Sequence, residues 1–382
     1  MTTATIMTGS AAKGNAGFAV PVSNPYNNWI DSTGVPVYRE YFIDDLRTVK
    51  VGGWAQRGCD AAFIELTGQQ GVTGCYVLEI GPGQTLPKFN VALDECIYVL
   101  QGRGLTTIYH PSGSGSKSFE WDARSCFLIP ANHPYELSNA QGAQKARVMV
   151  SSYLPLAMSV MPNPDYFFKS PVTEPERVFG QEAAEYFSKA KTFPSAAGAL
   201  VGVYWVGNFF PDMAAWSNVD AMPYRGAGGR AVMIEFPDSP LSAHMSVFPS
   251  RMYKRAHRHG PGFIIVIPKG EGYSIMWPEG GERIVIPWHE GSCFVPPMRW
   301  FHQHFNVSEH LDRYLAIHPP RGLAGSGEQI ENRSRDQIDH PDEDPWVRQK
   351  FEEELAKRRL TSRMPADAYK EHNYQFSTME EV

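Results

Sequence analysis

No long run of Lys or Arg occurs in the 382-residue chain, where 35 basic residues stand against 41 acidic ones for a formal net charge of −6. That balance gives a polyanion nothing to bind, which argues against nucleic acid or an anionic membrane as partner. Also missing is any stretch approaching the roughly 20 apolar residues that cross a bilayer. The opening Met-Thr-Thr-Ala-Thr-Ile-Met has no basic segment leading into an apolar core, so a cytoplasmic location is the expectation. Cysteine is scarce and unpaired in sequence: Cys59, Cys75, Cys96, Cys126 and Cys293 stand singly among apolar neighbours, with no C-x-x-C spacing. They read as buried small hydrophobes in a reducing compartment, not as a disulfide frame or zinc ligands.

What the chain does have is a 42% hydrophobic content and enough length for two or three domains. Its 34 Gly and 30 Pro punctuate short runs rich in Val, Ile, Phe, Tyr and Trp, the pattern of many short strands joined by tight turns. Strands are expected at 75–80, 96–100, 105–109, 126–130 and 146–153, and again at 231–236, 243–248, 263–268, 273–277, 283–287, 293–296 and 311–318. An all-β sandwich or barrel class follows. Between the two series, 174–191 reads as a helical connector with Val178, Ala183, Ala184 and Phe187 on one face. Near the end, Asp344-Pro345 resembles an N-cap followed by proline, opening a helix with Val347, Phe351 and Leu355 on one stripe.

The strongest organisational signal is an internal repeat. Glu95-Cys-Ile-Tyr-Val-Leu-Gln-Gly102-Arg-Gly104, then Ser125-Cys-Phe-Leu-Ile-Pro130, Tyr135 and Asn139, are matched by Phe263-Ile-Ile-Val-Ile-Pro-Lys-Gly270-Glu-Gly272, then Ser292-Cys-Phe-Val-Pro-Pro297, His302 and Asn306. From the Ser-Cys-Phe block onward the spacing is identical, so the chain holds two copies of one unit. Residues two apart on a strand share a face, so His257 and His259 point one way, as do His302, His304 and Asn306. Two strands can thus aim up to four imidazoles into one interior, with the donor chemistry of a first-row metal and positions left open for a substrate.

These residues resemble the cupin superfamily twice over. Its first motif places two histidines one residue apart ahead of a glutamate and a glycine; its second runs glycine, proline, glycine, histidine, asparagine. In the second half, His257-Arg-His259 leads to Gly270, and Gly291, Pro297, His302 and Asn306 follow at the family spacing, with Phe263 at the glutamate position and Arg299 at a glycine position. In the first half Glu95 keeps the glutamate, but Phe89, Val91 and Tyr135 stand where the three histidines would be.

The resemblance implies an all-β fold of two cupin, jelly-roll-like barrels with a short helical connector and a C-terminal helix. The expected divisions are an N-terminal barrel without metal over 1–160, a connector over 161–229, a metal-binding barrel over 230–323 and a polar tail over 324–382. It implies a metal held by His257, His259 and His302, with Fe(II) first and Mn, Ni, Cu or Zn as alternatives.

His304 either positions and deprotonates substrate, adds a fourth ligand, or orients a ligating ring. Arg299 either clamps an anionic group or makes a surface ion pair. Phe263, Trp277, Trp288 and Trp300 are either pocket walls or plain core. His244 and His318 read as incidental, although their strands could turn them inward.

Three neutral ligands leave a metal with its full charge. The run His257-Arg-His-Gly-Pro-Gly, the later Gly272-Tyr-Ser-Ile-Met-Trp-Pro-Glu-Gly and Trp300-Phe-His-Gln-His-Phe-Asn are similar to the large subunit of two-subunit hydroquinone dioxygenase, which implies oxidative cleavage of a hydroxylated aromatic or enolisable small molecule. A homo-oligomer is expected, and that similarity implies a second cupin subunit as an alternative partner. The alternatives are a non-oxidative metal cupin (isomerase, decarboxylase or lyase) using His304 or Tyr273 as acid or base, and a non-catalytic small-molecule-binding bicupin.

Overall fold

The computed structural model describes residues 24–194, 203–215, 220–221, 227, 229–320 and 333–376. The opening segment read above for a leader, and the expected boundary at 323–324, lie outside the described residues. The protein is mostly β and built from one unit used twice. In the first unit, a large sheet runs in the order Cys59–Ile64, Gly74–Ile80, Ala146–Ser152, Glu95–Gln101, Cys126–Ile129. A three-stranded sheet, Tyr135–Asn139, Gly104–Tyr109, Ser116–Trp121, packs on it. The second unit repeats the order with Arg230–Glu235, Ser242–Phe248, Asp312–His318, Ile264–Lys269 and Cys293–Phe294, and its smaller sheet holds Phe301–Asn306, Glu271–Trp277 and Ile284–His289.

Register fixes which residues correspond. Ile97 pairs with Phe127 as Ile265 pairs with Phe294, and the Phe89–Tyr135 bridge matches the His257–His302 pair. Glu95 and Phe263 therefore occupy one position, two residues before Ile97 and Ile265. The two units even share a turn device. A Cβ on Gly104 would stand 2.1 Å from the Ser138 carbonyl oxygen and 2.3 Å from the Trp121 ring, and one on Gly272 would stand 2.0 Å from the Phe305 oxygen and 2.5 Å from the Trp288 ring. Only glycine admits an indole so close to the next strand.

Each large sheet is buried on both faces, which is why its strands read as near-continuous apolar runs. Cys75 and Val77 of Gly74–Ile80 join Ala243 and Met245 of Ser242–Phe248 in a core shared by the two units, together with Cys96, Cys126 and Cys293. The alternate residues, Tyr76 and Leu78 in one unit and Phe248 in the other, turn into each unit's own interior. The units also exchange short strands: Phe42–Ile43 pairs with Cys293–Phe294 of the second unit, and Phe209–Phe210 pairs with Cys126–Phe127 of the first.

The connector is less helical than its composition suggests. A turn of helix, Glu176–Phe179, and a 3-10 turn, Gln181–Ala183, replace one continuous helix, because Gly180 is extended (φ −60°, ψ 163°). Val178 is buried and Phe187 packs on the first unit's core, whereas Ala184 is exposed. The C-terminal helix is as expected: it spans Pro345–Lys357, Asp344 Oδ1 accepts from the Trp346 N–H at 2.9 Å, and Val347, Phe351 and Leu355 are buried. No helix of the described residues is long and apolar enough to cross a membrane.

One strand end carries a pH prediction. Burial pushes the Glu65 carboxyl up to about 7 from its ordinary 4.5, against the lowering influence of Arg39. Because the folded value lies above the unfolded one, the associated stability is fully present below pH 4.5 and is lost as pH rises through 7. Glu65→Gln is expected to remove a decline on the order of 2–3 kcal/mol between those limits. Denaturant unfolding at pH 4.5 and pH 8 checks this; an unchanged difference in the Gln variant would refute it.

Candidate metal centre

The second unit gathers its histidines by strand alternation. Ala256–His257 pairs with Phe301–Asn306, so that His257 lies opposite His302, and the loop after Ala256–His257 brings His259 beside both. One ligand atom from each of His257, His259 and His302 lies within 4.8 Å of the others. Ring centroids are 4.2 Å apart for His257 and His302 and 4.7 Å for His259 and His302. His257 and His302 are buried and His259 half-buried.

The backbone sets which nitrogen faces the cluster. Nδ1 of His257 is 3.4 Å from the Arg255 carbonyl, Nδ1 of His259 is 2.9 Å from that of Gly260, and Nδ1 of His302 is 3.3 Å from that of Trp300. A carbonyl can only accept, so Nδ1 carries the proton in each ring and Nε2 is the nitrogen with the lone pair. Three such rings fit a divalent first-row ion by donor type and by the outer hydrogen bonds that orient them. Among the described residues they are the only such group of His, Cys, Asp or Glu.

The other expected site residues divide sharply. Phe263 is buried with its ring 4.3 Å from His259 and 4.7 Å from His318. His304 lies outside the cluster of three, 5.6 Å from His302 and 6.3 Å from His257 between ring centroids. Its Nδ1 is 2.8 Å from Ser274 Oγ, which also accepts from Trp288 Nε1 at 3.0 Å. Trp288 thus lies in the interior. Trp300 is half-buried at its edge, 6.1 Å from Tyr41.

Trp277 and Tyr273 are placed otherwise than expected. Both lie on the opposite face of their strand, in the core beneath the C-terminal helix, where Trp277 stacks on Phe301 and Tyr273 on Phe305. In Glu271–Trp277 the even-numbered residues face inward, so an odd position cannot reach the histidines. Arg299 has its backbone N–H on the His259 carbonyl at 2.9 Å, but its guanidinium is engaged by Asp336 at 2.7 Å. It makes an ion pair through one nitrogen, with the side chain 44% exposed.

No protein-family profile and no curated protein matches the chain. Among solved structures, the formate complex of oxalate decarboxylase from Lactobacillus farciminis is similar over 72% of this chain and 84% of its own, with 12% identity and a TM-score of 0.44. A mutant of Bacillus subtilis oxalate decarboxylase is similar over 73% and 77%, with 10% identity and a TM-score of 0.45.

The interior of the second unit contains more polar chemistry than its motifs announce. His244 Nδ1 is 2.6 Å from His318 Nε2, so these two rings face inward as a hydrogen-bonded pair. Lys254 is buried with its ammonium on the Ser246 hydroxyl and 3.4 Å from the Tyr314 hydroxyl. Alternation along Ser242–Phe248 and Asp312–His318 was the available signal for His244, Ser246, Tyr314 and His318. Lys254 gave none.

The first unit shows what replaces the histidines. Glu95 is buried and accepts from Tyr76 at 2.6 Å and from Tyr135 at 2.7 Å, one hydroxyl to each oxygen. Burial pushes its carboxyl up, against the lowering effects of Arg57 and the two tyrosines. The buried Arg57 guanidinium lies 3.8 Å over the Phe89 ring and donates to the Tyr135 hydroxyl at 3.2 Å. Phe89 and Tyr135 correspond to His257 and His302, so a fixed guanidinium stands among the residues that correspond to the imidazoles.

Proposed function

We propose that the second unit of this bicupin is a divalent-metal enzyme site acting on a small anionic molecule by non-oxidative chemistry, in the decarboxylase, isomerase or lyase class. The observation that carries it is the Trp288–Ser274–His304 chain beside the three imidazoles. An indole N–H can only donate, so Ser274 Oγ accepts from Trp288 and its own hydroxyl proton is available to His304 Nδ1, 2.8 Å away. We infer the tautomer of His304 in which the serine donates to Nδ1 and the ring proton sits on Nε2, at the edge of the cluster. That is the arrangement a general acid needs.

A metal held by His257, His259 and His302 supplies Lewis acidity that no ligand charge offsets. The chain supplies the rest. Phe263, Phe294 and Trp288 keep water from the interior, His304 gives or takes the proton, and the uncompensated site favours a carboxylate or enolate. The ring-cleaving reading loses one of its supports, since Trp277 lies on the other face. The first unit is proposed as a metal-free structural copy.

The test reconstitutes the protein with Mn(II) or Fe(II) and offers small carboxylic acids, enolisable keto acids, catechols and hydroquinones with and without oxygen. Turnover at equal rate without oxygen is expected. A strict oxygen requirement would restore oxidative cleavage, and no turnover of any compound would favour a binding protein. His304→Ala should retain metal while lowering turnover about 10- to 100-fold; a variant as empty of metal as His302→Ala would make His304 a ligand instead.

A further inference from the structure

The strand that carries His257 is only two residues long, Ala256–His257. One neighbour is the strand of His302. The other comes from the far end of the chain: Ile338 and Gln337 pair with Ala256 and His257. A two-residue strand has too few bonds of its own to hold position, so its neighbours decide where His257 sits.

Immediately before that tail strand lies Asp336, 2% exposed. Its Oδ1 accepts from Arg258 Nε at 3.1 Å, from Arg299 Nη2 at 2.7 Å and from Arg335 Nε at 3.1 Å, and its Oδ2 accepts from Arg335 Nη2 at 2.8 Å. The backbone joins in, with the Asp336 carbonyl accepting from Arg258 N–H at 3.0 Å and the Arg335 carbonyl accepting from Arg258 Nη2 at 3.0 Å. Arg258 separates His257 from His259. Arg299 grips the His259 carbonyl through its own N–H and precedes His302 by three residues. Arg299 also has φ +63°, a left-handed conformation that a non-glycine residue adopts only when its surroundings hold it there.

We propose that Asp336 is a positioning residue of the metal centre: a brace from the C-terminal segment that sets the spacing of His257, His259 and His302 without touching them. One carboxylate ties together the residue between the first two histidines and the turn that leads to the third. Its withdrawal leaves the guanidiniums of Arg258, Arg299 and Arg335 facing one another, of which Arg258 keeps a second carboxylate, Glu279 at 2.7 Å, and like charges in a confined space move apart. The histidine loop moves with them. The proposal rests on the metal-centre reading above.

Cobalt(II) is the probe, because its visible absorption reports ligand geometry as well as occupancy. Asp336→Asn keeps the shape and the backbone bonds but removes the charge. It is expected to weaken cobalt binding about 10- to 100-fold, the usual cost of losing an outer support, and to alter the visible band. Asp336→Glu should recover part of the affinity. Asp344→Asn, in the same tail but at the helix cap, should leave it unchanged. In metal-free protein, amide hydrogen exchange across 255–259 should accelerate in Asp336→Asn.

Cobalt affinity, spectrum and exchange all matching the wild type would overturn the brace. If wild-type protein takes up no cobalt, the metal-centre reading falls and the positioning role falls with it. That failure is recognised in the wild type, before any variant is compared. Should Asp336→Asn not fold, Arg299→Gln removes one exposed arm and should give the same changes in smaller measure, and its indifference would overturn the brace equally.

Discussion

His257→Ala and His302→Ala are each expected to take the protein from one bound divalent ion per chain to none. The reasoning begins with how few donors there are. His257, His259 and His302 alone bring three ligand atoms within 4.8 Å among the described residues, and no carboxylate belongs to the group. Losing one of three imidazoles leaves two neutral ligands, which cannot compete with water for a first-row ion. Glu95→Gln, by contrast, should leave the count at one. Glu95 is the surviving motif carboxylate, but it is capped by two tyrosine hydroxyls and accompanied by Arg57, not by imidazoles. Elemental analysis of purified protein decides the matter. Two ions per chain would mean that the first unit is occupied after all, and metal retained by His302→Ala would remove the centre from this cluster.

Phe351→Ala should cost about 3–5 kcal/mol of folding stability, the range for emptying a buried aromatic site. Phe351 is fully buried, with its ring 4.8 Å from Tyr253 and 5.8 Å from Phe305. Both partners lie next to inward-facing residues: Tyr253 precedes Lys254, and Phe305 follows His304. The C-terminal helix is therefore the outer wall of the sheet whose inner wall holds the histidines. Denaturant unfolding at constant pH measures the loss. A change under about 1 kcal/mol would show that the helix contributes little to that wall.

Much of this was legible in the sequence, for physical reasons that can be named. Strands buried on both faces, such as Gly74–Ile80 and Ser242–Phe248, announce themselves as apolar runs. The C-terminal helix was visible because Asp344, Pro345 and the Val347, Phe351, Leu355 stripe supply cap, start and face together. The strand Cys59–Ile64 was missed because Asp60, Ala61 and Ala62 lack the branched and aromatic side chains that mark strands. Ser116–Trp121 was missed because most of its positions are polar or solvent-facing.

Within the candidate site, strand spacing shows only that up to four imidazoles can share one interior, and it is the resemblance to the cupin motifs that singles out His257, His259 and His302; neither assigns the walls. Trp277 and Trp288 look alike in sequence, yet the parity of each along its strand sends one under the helix and the other into the interior. Asp336 could not be found in advance, because Arg299 and Arg258, the partners that reach the histidines, lie 37 and 78 residues away in sequence and no local pattern links them to it.

The shared core makes the two copies indivisible. Cutting the second unit out at about residue 230 would expose Val232, Met245, Val266 and Leu315 to water and strip the Cys293–Phe294 strand of its Phe42–Ile43 neighbour. A fragment of that kind should aggregate instead of folding into a smaller metal protein. The first copy, with tyrosine and arginine where the second has imidazoles, is thus not dispensable: the second unit depends on the outside of its large sheet, whatever fills its interior.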